Sequence, residues 1–334
     1  MEPGTTVWTG TTLLHYVGQS ILHATIAAVI IEALMRAWRV ERAGPRLALR
    51  LIALACPLVV LPFFLLLAPF RAGEQFAREA IFAGWRWDAL SVGGIGLARL
   101  AVCILGALGG LLFLLDFLPS IADRLRGSRH PAGLPRQVEG VGAEVQALSE
   151  RLGIHPPPVL VVADESAILH CEGVLRPKLV VSSAALESLN ADERRAALAH
   201  ELAHAAYKDP VFGWVLAVIR AVMFFNPAIQ VEARAVVGEL ERRADERSAA
   251  LADDRLALAA GLVKLFRMGH GLPEGAGPEL GWPVIPGLVR RARTSAIERR
   301  CRRLVRPAPA PLPLAGLRLA LAGLALSLLL FYVV

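Results

Sequence analysis

The chain has 334 residues, of which 55% are hydrophobic and only 19% charged, below the roughly 25% of ordinary soluble domains. With a mean hydropathy of +0.52, this excludes a disordered chain and argues against a plain soluble enzyme. Basic residues outnumber acidic ones 36 to 29, and only Lys178, Lys208 and Lys264 among them are lysines. In so apolar a chain an arginine excess points to loops beside anionic lipid before it points to nucleic acid.

Four apolar runs reach the length of about 20 residues that a spanning helix needs: residues 13–34, 47–70, 95–118 and 314–334. No Lys or Arg precedes Arg36, so the charged start of a cleavable signal peptide is missing and the first run is expected to be retained. Arg36, Arg39, Arg42, Arg46 and Arg50 stand after the first run against Glu41. Arg71, Arg78 and Arg86 after the second are balanced by Glu74, Glu79 and Asp88. Arg124, Arg126, Arg129 and Arg136 after the third face only Asp123, and residues 290–306 before the fourth hold eight arginines and one glutamate. The positive-inside rule then places both termini outside and residues 119–313 in the cytoplasm. The expected organisation is three spans in 1–125, a cytoplasmic domain in 126–306 and a fourth span in 307–334. Cys56, Cys103, Cys171 and Cys301 form no CxxC pair, so neither a disulfide framework nor a thiolate zinc site is indicated.

The inserted segment predicts a helix over 141–152, a break at Pro156-Pro157-Pro158, and short strands over 159–163, 167–171 and 178–181. Ser182 or Ser183 can cap a short helix running to Leu189. Asn190 and Glu193 stand at capping-box spacing before a longer helix that Asp209-Pro210 ends. A second helical region covers 211–260, with a break at Asn226-Pro227, and residues 270–286 are a Gly/Pro-rich loop.

One constellation carries chemistry. His200-Glu201-Leu202-Ala203-His204 is an HExxH pattern on the helix that starts at Asn190. A spacing of four puts both imidazoles on one face, able to grip one metal ion. Glu201, beside the first of them, can take a proton from water activated by the metal. A catalytic zinc site wants a third protein ligand and an open position. Glu241 can return to the metal if the two long helices pack antiparallel, and Asp245, one turn on, can hydrogen-bond a ligand histidine. Glu239 and Glu246 are competing carboxylates, and the same face with Arg242, Arg243 and Arg247 also reads as merely solvated.

The order of three spans, strands, HExxH, Phe225-Asn226-Pro227, Glu241 with Asp245, and a fourth span resembles the membrane zinc metallopeptidases typified by the β-lactam sensor-transducers of methicillin and penicillinase resistance. Gly173 with Arg176-Pro177 also matches. The resemblance implies a mainly α membrane protein of four transmembrane helices, with a cytoplasmic α+β zincin-like (gluzincin) peptidase domain inserted between spans three and four. It implies one Zn²⁺ held by His200, His204 and Glu241, with Glu201 as base. It further implies a bacterial-type cytoplasmic membrane and cleavage of a transcriptional repressor, or of the chain itself, in transmembrane signalling. The type members carry an external penicillin-binding domain beyond the fourth span; this chain stops at Val334, so a signal is expected through the spans, loop 71–94 or a sensor partner. The ExxAD form of the second motif also looks like the membrane quality-control peptidases of the heat-shock and prenyl-protein type. A non-catalytic, zinc-bearing transducer is the remaining alternative. Expected partners are a protein substrate, the bilayer, and a second copy or sensor protein, without direct nucleic-acid contact.

Weaker features complete the reading. His15, Gln19 and His23 recur every four residues in the first span, as a polar stripe facing neighbouring helices or a second metal site. His170 and Cys171 are extra ligands or a gating thiol, or simply a buried pair. Strand 178–181 is ordinary sheet or an edge on which an extended peptide pairs. Arg290–Arg306 reads as a headgroup-binding cluster. Tyr207 and Arg247 are candidates for stabilising an oxyanion.

Overall fold

A computed structural model describes residues 10–72, 75–76, 80–81, 90–117, 140–165, 167–173, 176–269 and 295–333. The basic cluster Arg124–Arg136, most of loop 71–94 and the loop 270–286 lie outside the described residues. The fold is mainly helical with a small sheet. The helices, in chain order, are α1 (Gly10–Ala37), α2 (Ala43–Ala55), α3 (Leu61–Leu67), α4 (Leu97–Leu112), α5 (Val141–Leu152), α6 (Ser183–Ser188), α7 (Ala191–Ala206), α8 (Asp209–Val222), α9 (Pro227–Ala252), α10 (Arg255–Gly269), α11 (295–304) and α12 (Ala315–Phe331). The strands are β1 (Ser91–Val92), β2 (Ile95–Gly96), β3 (Val159–Val162), β4 (Leu169–Glu172) and β5 (Lys178–Ser182). The chain divides into two compact units, one of Met1–Gly127, Leu216–Glu239 and Ala310–Val334, the other of Ser128–Val215 and Leu240–Pro309.

The first unit is apolar. Tyr16–Ala37, Ala43–Phe64 and Leu97–Leu115 are long and apolar enough to cross a membrane. The 17 residues of α12 span about 26 Å, short of a hydrocarbon core of roughly 30 Å. Ile31 and Met35 of α1, Leu49 of α2, and Leu326 and Leu330 of α12 share one buried core. The second apolar helix starts at Ala43 rather than Leu47, because the arginines at its start are neutralised. Arg46 pairs with Glu239 at 2.7 Å, and Arg50 with Glu232 at 3.0 Å and Glu32 at 3.2 Å. Its regular hydrogen bonding lapses into a π-turn at Cys56–Val60, where Pro57 and Pro62 remove donors. Phe225-Asn226-Pro227 forms a tight structural corner. Asn226 Oδ1 accepts from Ile229 N at 3.2 Å to cap α9, its amide donates to Ser20 Oγ at 3.1 Å, and Pro227 fills the first helical position. Gly109 of α4 lies against this corner, where a Cβ would overlap the Phe225 carbonyl group.

The second unit holds the sheet in the order β3-β5-β4, with β3 parallel and β4 antiparallel to β5. Strand 178–181 is therefore central rather than a peptide-binding edge; β4 is an edge. Leu179 and Val181 of β5, Leu198 and Leu202 of α7, and Val145 and Leu148 of α5 form the core of this unit. The Asn190 side chain accepts from Glu193 N at 2.9 Å while Glu193 accepts from Asn190 N at 3.0 Å, the capping box the sequence predicts. Ser182 caps α6 by accepting from Ala185 N. The region expected to be helical over 211–260 breaks twice. The second break is at Asp253, in the left-handed region at φ 57°, and Asp254 Oδ1 then caps α10 by accepting from Leu256 N and Ala257 N.

Candidate metal centre

Helix α7 presents His200, Glu201 and His204, and the C-terminal half of α9 presents Glu241 and Asp245. The Nε2 atoms of His200 and His204 lie 3.2 Å apart. Glu241 Oε2 is 3.7 Å from His200 Nε2 and its Oε1 is 3.7 Å from His204 Nε2. The structure thus brings together the three residues expected to be ligands. Four-coordinate zinc with bonds of about 2.0–2.1 Å separates its ligand atoms by roughly 3.4 Å, so the donor set fits that ion without rearrangement of the backbone. His200 is buried, whereas the Glu241 side chain is 38% exposed and leaves the site open on one side.

Each imidazole has a carboxylate behind it. Asp245 Oδ1 stands 3.2 Å from His200 Nδ1, as the spacing of Glu241 and Asp245 suggests. Asp209 Oδ2 lies 2.8 Å from His204 Nδ1. A His204 Nδ1 proton held by Asp209 leaves that ring's Nε2 lone pair for a metal. The two Nε2 atoms, 3.2 Å apart, converge with the Glu241 carboxylate where a single cation can meet all three. The carboxylates are in turn held by arginines. Arg243 ion-pairs with Asp209 and lies 4.0 Å over the Tyr207 ring. Arg300 of α11 reaches Asp245 through Nε at 3.0 Å and Nη2 at 2.7 Å, Glu241 Oε2 through Nη1 at 3.1 Å, and His200 Nε2 through Nη2 at 3.1 Å.

These contacts dominate the protonation balance. Burial opposes charge on His200, but the neighbouring carboxylates of Asp245 and Glu241 outweigh it and, with no metal bound, raise the imidazole to about 9. Burial likewise pushes Glu241 and Asp245 up, and the contacts with His200 and Arg300 reverse it, bringing each to about 2.

Glu201 does not join the donors; its Oε2 accepts from the Cys171 backbone N–H at 3.0 Å, so edge strand β4 holds the carboxylate. Cys171 and His170 lie outside the donor set. Burial first, then the charges of Glu201 and Glu172, push the Cys171 thiol up to about 12, and His170 pairs with Glu172 at 3.0 Å. The competing carboxylates are engaged elsewhere, Glu239 with Arg46 and Glu246 with Arg242 at 3.2 Å. In the first unit His23 is buried with Nε2 3.0 Å from the Val333 carbonyl oxygen, in keeping with an inward polar stripe; the His15 side chain lies outside the described residues. Sequence reasoning misses Asp209, Arg243 and Arg300. In sequence, Asp209 reads as a helix terminator and Arg300 as one of a lipid-facing cluster. The usable signal is that HExxH is followed five residues later by an acid that opens the next helix.

Residues 102–260 match the family described as BlaR1 peptidase M56, a range that contains HExxH and both acids of the second motif. The chain is also similar to the Protease HtpX homolog of Aeropyrum pernix, with 30% identity over 191 residues, 56% of this chain and 58% of that protein. The chain thus spans less than two thirds of that relative's length. No solved structure matches.

Proposed function

We propose that this chain, whose residues 102–260 match the BlaR1-type M56 peptidases, is a membrane-anchored zinc endopeptidase that cuts a cytoplasmic protein. The observation that carries the reading is the convergence of His200 Nε2, His204 Nε2 and the Glu241 carboxylate at separations of 3.2–3.7 Å, with an acid behind each imidazole. These three residues would hold the ion. Zinc, when bound, polarises a scissile carbonyl and lowers the pKa of water to about 7. Glu201 takes the proton from the attacking water and delivers it to the leaving amine. Cys171 N–H, donating to Glu201, aims the carboxylate from the side of the sheet edge.

The membrane anchor rests on the three long apolar helices. A fourth crossing by α12, both termini outside and a cytoplasmic peptidase unit belong to the same proposal and follow from the arginine distribution. The preferred substrate is a transcriptional repressor or the chain itself, with a second copy or a sensor protein as partner. A second reading, membrane-protein quality control, draws on the likeness to the Aeropyrum pernix protease and on the Glu241–Asp245 spacing.

The test is purified chain with casein and with a repressor encoded by a neighbouring reading frame, wild type against Glu201→Gln. A general base contributes about 10²–10⁴-fold, so the variant should keep its zinc and lose at least a hundredfold in rate. Full activity in Glu201→Gln would remove the base. Cleavage of casein or misfolded membrane proteins with the repressor left intact would favour quality control, and absence of all cleavage with normal zinc would favour the non-catalytic transducer.

A further inference from the structure

Arg300 stands in an unexpected place. Its side chain is 14% exposed, and the guanidinium contacts Asp245, Glu241 and the candidate metal-binding nitrogen of His200 simultaneously. A guanidinium has no lone pair to offer a metal, yet its Nη2 lies 3.1 Å from the His200 Nε2 that a metal needs. It also donates to Glu241 Oε2, so two of the three donors are engaged by one cation. One nitrogen serves both ends of this arrangement: Nη2 lies 2.7 Å from Asp245 Oδ1 and 3.1 Å from His200 Nε2.

We propose that Arg300 is a cationic placeholder, which neutralises the donor set before loading and must be displaced from His200 and Glu241 for a divalent ion to bind. The proposal rests on the metal-centre reading above. Asp245 provides the anchor that makes displacement reversible, since the Nε–Asp245 contact involves neither ligand atom. The device has a physical rationale. The paired carboxylates of Glu241 and the buried Asp245 are costly without a counter-charge, and a guanidinium, weakly hydrated and planar, fits between carboxylates better than an ammonium would. The consequence is that Arg300 lowers metal affinity. This is opposite in sign to a purely structural role, in which loss of the arginine would loosen Asp245 and His200 and weaken metal binding.

The sign is measurable without any catalytic assay. Zn²⁺ affinity of the full-length protein in detergent is determined by competition with a chromophoric chelator, for wild type, Arg300→Ala and Arg300→Gln. Glutamine removes the charge but keeps an N–H donor for Asp245, so it serves if alanine fails to fold. The expected result is binding at least about tenfold tighter in the variants, a small part of the repulsion between a dication and a neighbouring cation at partial burial. Thermal unfolding gives a second readout: each variant should be less stable than wild type without zinc, and saturating zinc should raise its midpoint by more degrees than it raises the wild type's. Affinity equal to or below that of wild type in the folded variants overturns the placeholder while leaving the metal centre intact. Zinc binding by neither wild type nor variants overturns the metal centre itself and the placeholder with it.

Discussion

At the scale of single residues the site is two imidazoles, each given a fixed direction by an acid and each acid fixed by an arginine. Asp209 is the clearest case, because its two oxygens divide between His204 Nδ1 and Arg243. Asp209→Asn removes the charge and lets the amide present its NH₂ to the ring, so the tautomer with a free Nε2 is no longer enforced. Zinc affinity should fall about 10–100-fold, read by chelator competition, with far-UV dichroism unchanged; unaltered affinity would strip Asp209 of this role. The residues placed to bind a metal are legible in the sequence because helical periodicity alone aligns His200 with His204, and Glu241 with Asp245. Asp209, Arg243 and Arg300 are not, because nothing local distinguishes an arginine that reaches 55 positions back to Asp245 from one that faces a phosphate headgroup. The same division runs through Glu201: its candidacy as a base is readable from HExxH, whereas its tether to Cys171 N–H depends on which strand ends up at the sheet edge.

At the scale of elements, local chemistry sets most boundaries. The box at Asn190 and Glu193, the Ser182 cap and the Asn226-Pro227 corner all act within four residues, and the structure places each where the sequence does. Asn190→Ala should cost about 1 kcal/mol by leaving the first turn of α7 without its acceptor, seen as a lower midpoint in thermal unfolding of the full chain. What stays hidden is pairing at long range. The sheet order β3-β5-β4 is decided by packing on α7, and the start of the second apolar helix by carboxylates almost two hundred positions away. Gly109 illustrates the same limit. In sequence it is one glycine in an apolar run; in the fold it touches backbone, and a methyl group there would overlap the Phe225 carbonyl and lie 2.9 Å from Asn226 N. Because neither neighbour is a flexible side chain, Gly109→Ala should destabilise by about 1–3 kcal/mol, whereas Gly106→Ala on the same helix, which meets nothing within 4 Å, should be neutral or stabilising. Equal midpoints for the two variants would mean that α4 does not pack on the corner.

At the scale of the molecule, the number of bilayer crossings decides on which side the C-terminus lies. Among the described residues three helices have the length and composition, and α12 is a few residues short by itself. Leu312 and Leu314 precede it and Tyr332 follows, giving an apolar stretch close to the required thickness with an aromatic at one interface. Arg318, 5.7 Å from the Trp38 ring, sits one turn inside the helix, where its long stem can lift the charge to the headgroups. Not every arginine weighs equally in orienting the chain: Arg46 and Arg50 are neutralised by Glu239, Glu232 and Glu32 and count for little in the first loop. The arginines of residues 290–306 then carry the decision, less Arg300, which is buried in the metal centre. A reporter pair fused after Val334 separates the cases. With four crossings, alkaline phosphatase is active and a green fluorescent protein is dark; with three, the pattern inverts. Replacing Arg302, Arg303 and Arg306 together by glutamine should increase the fraction of chains that fail to translocate α12, while the same change at Arg46 and Arg50 should leave the topology as it is and lower stability instead. Inversion by the second set rather than the first would show that the first loop sets orientation, with charges that remain effective despite their carboxylate partners.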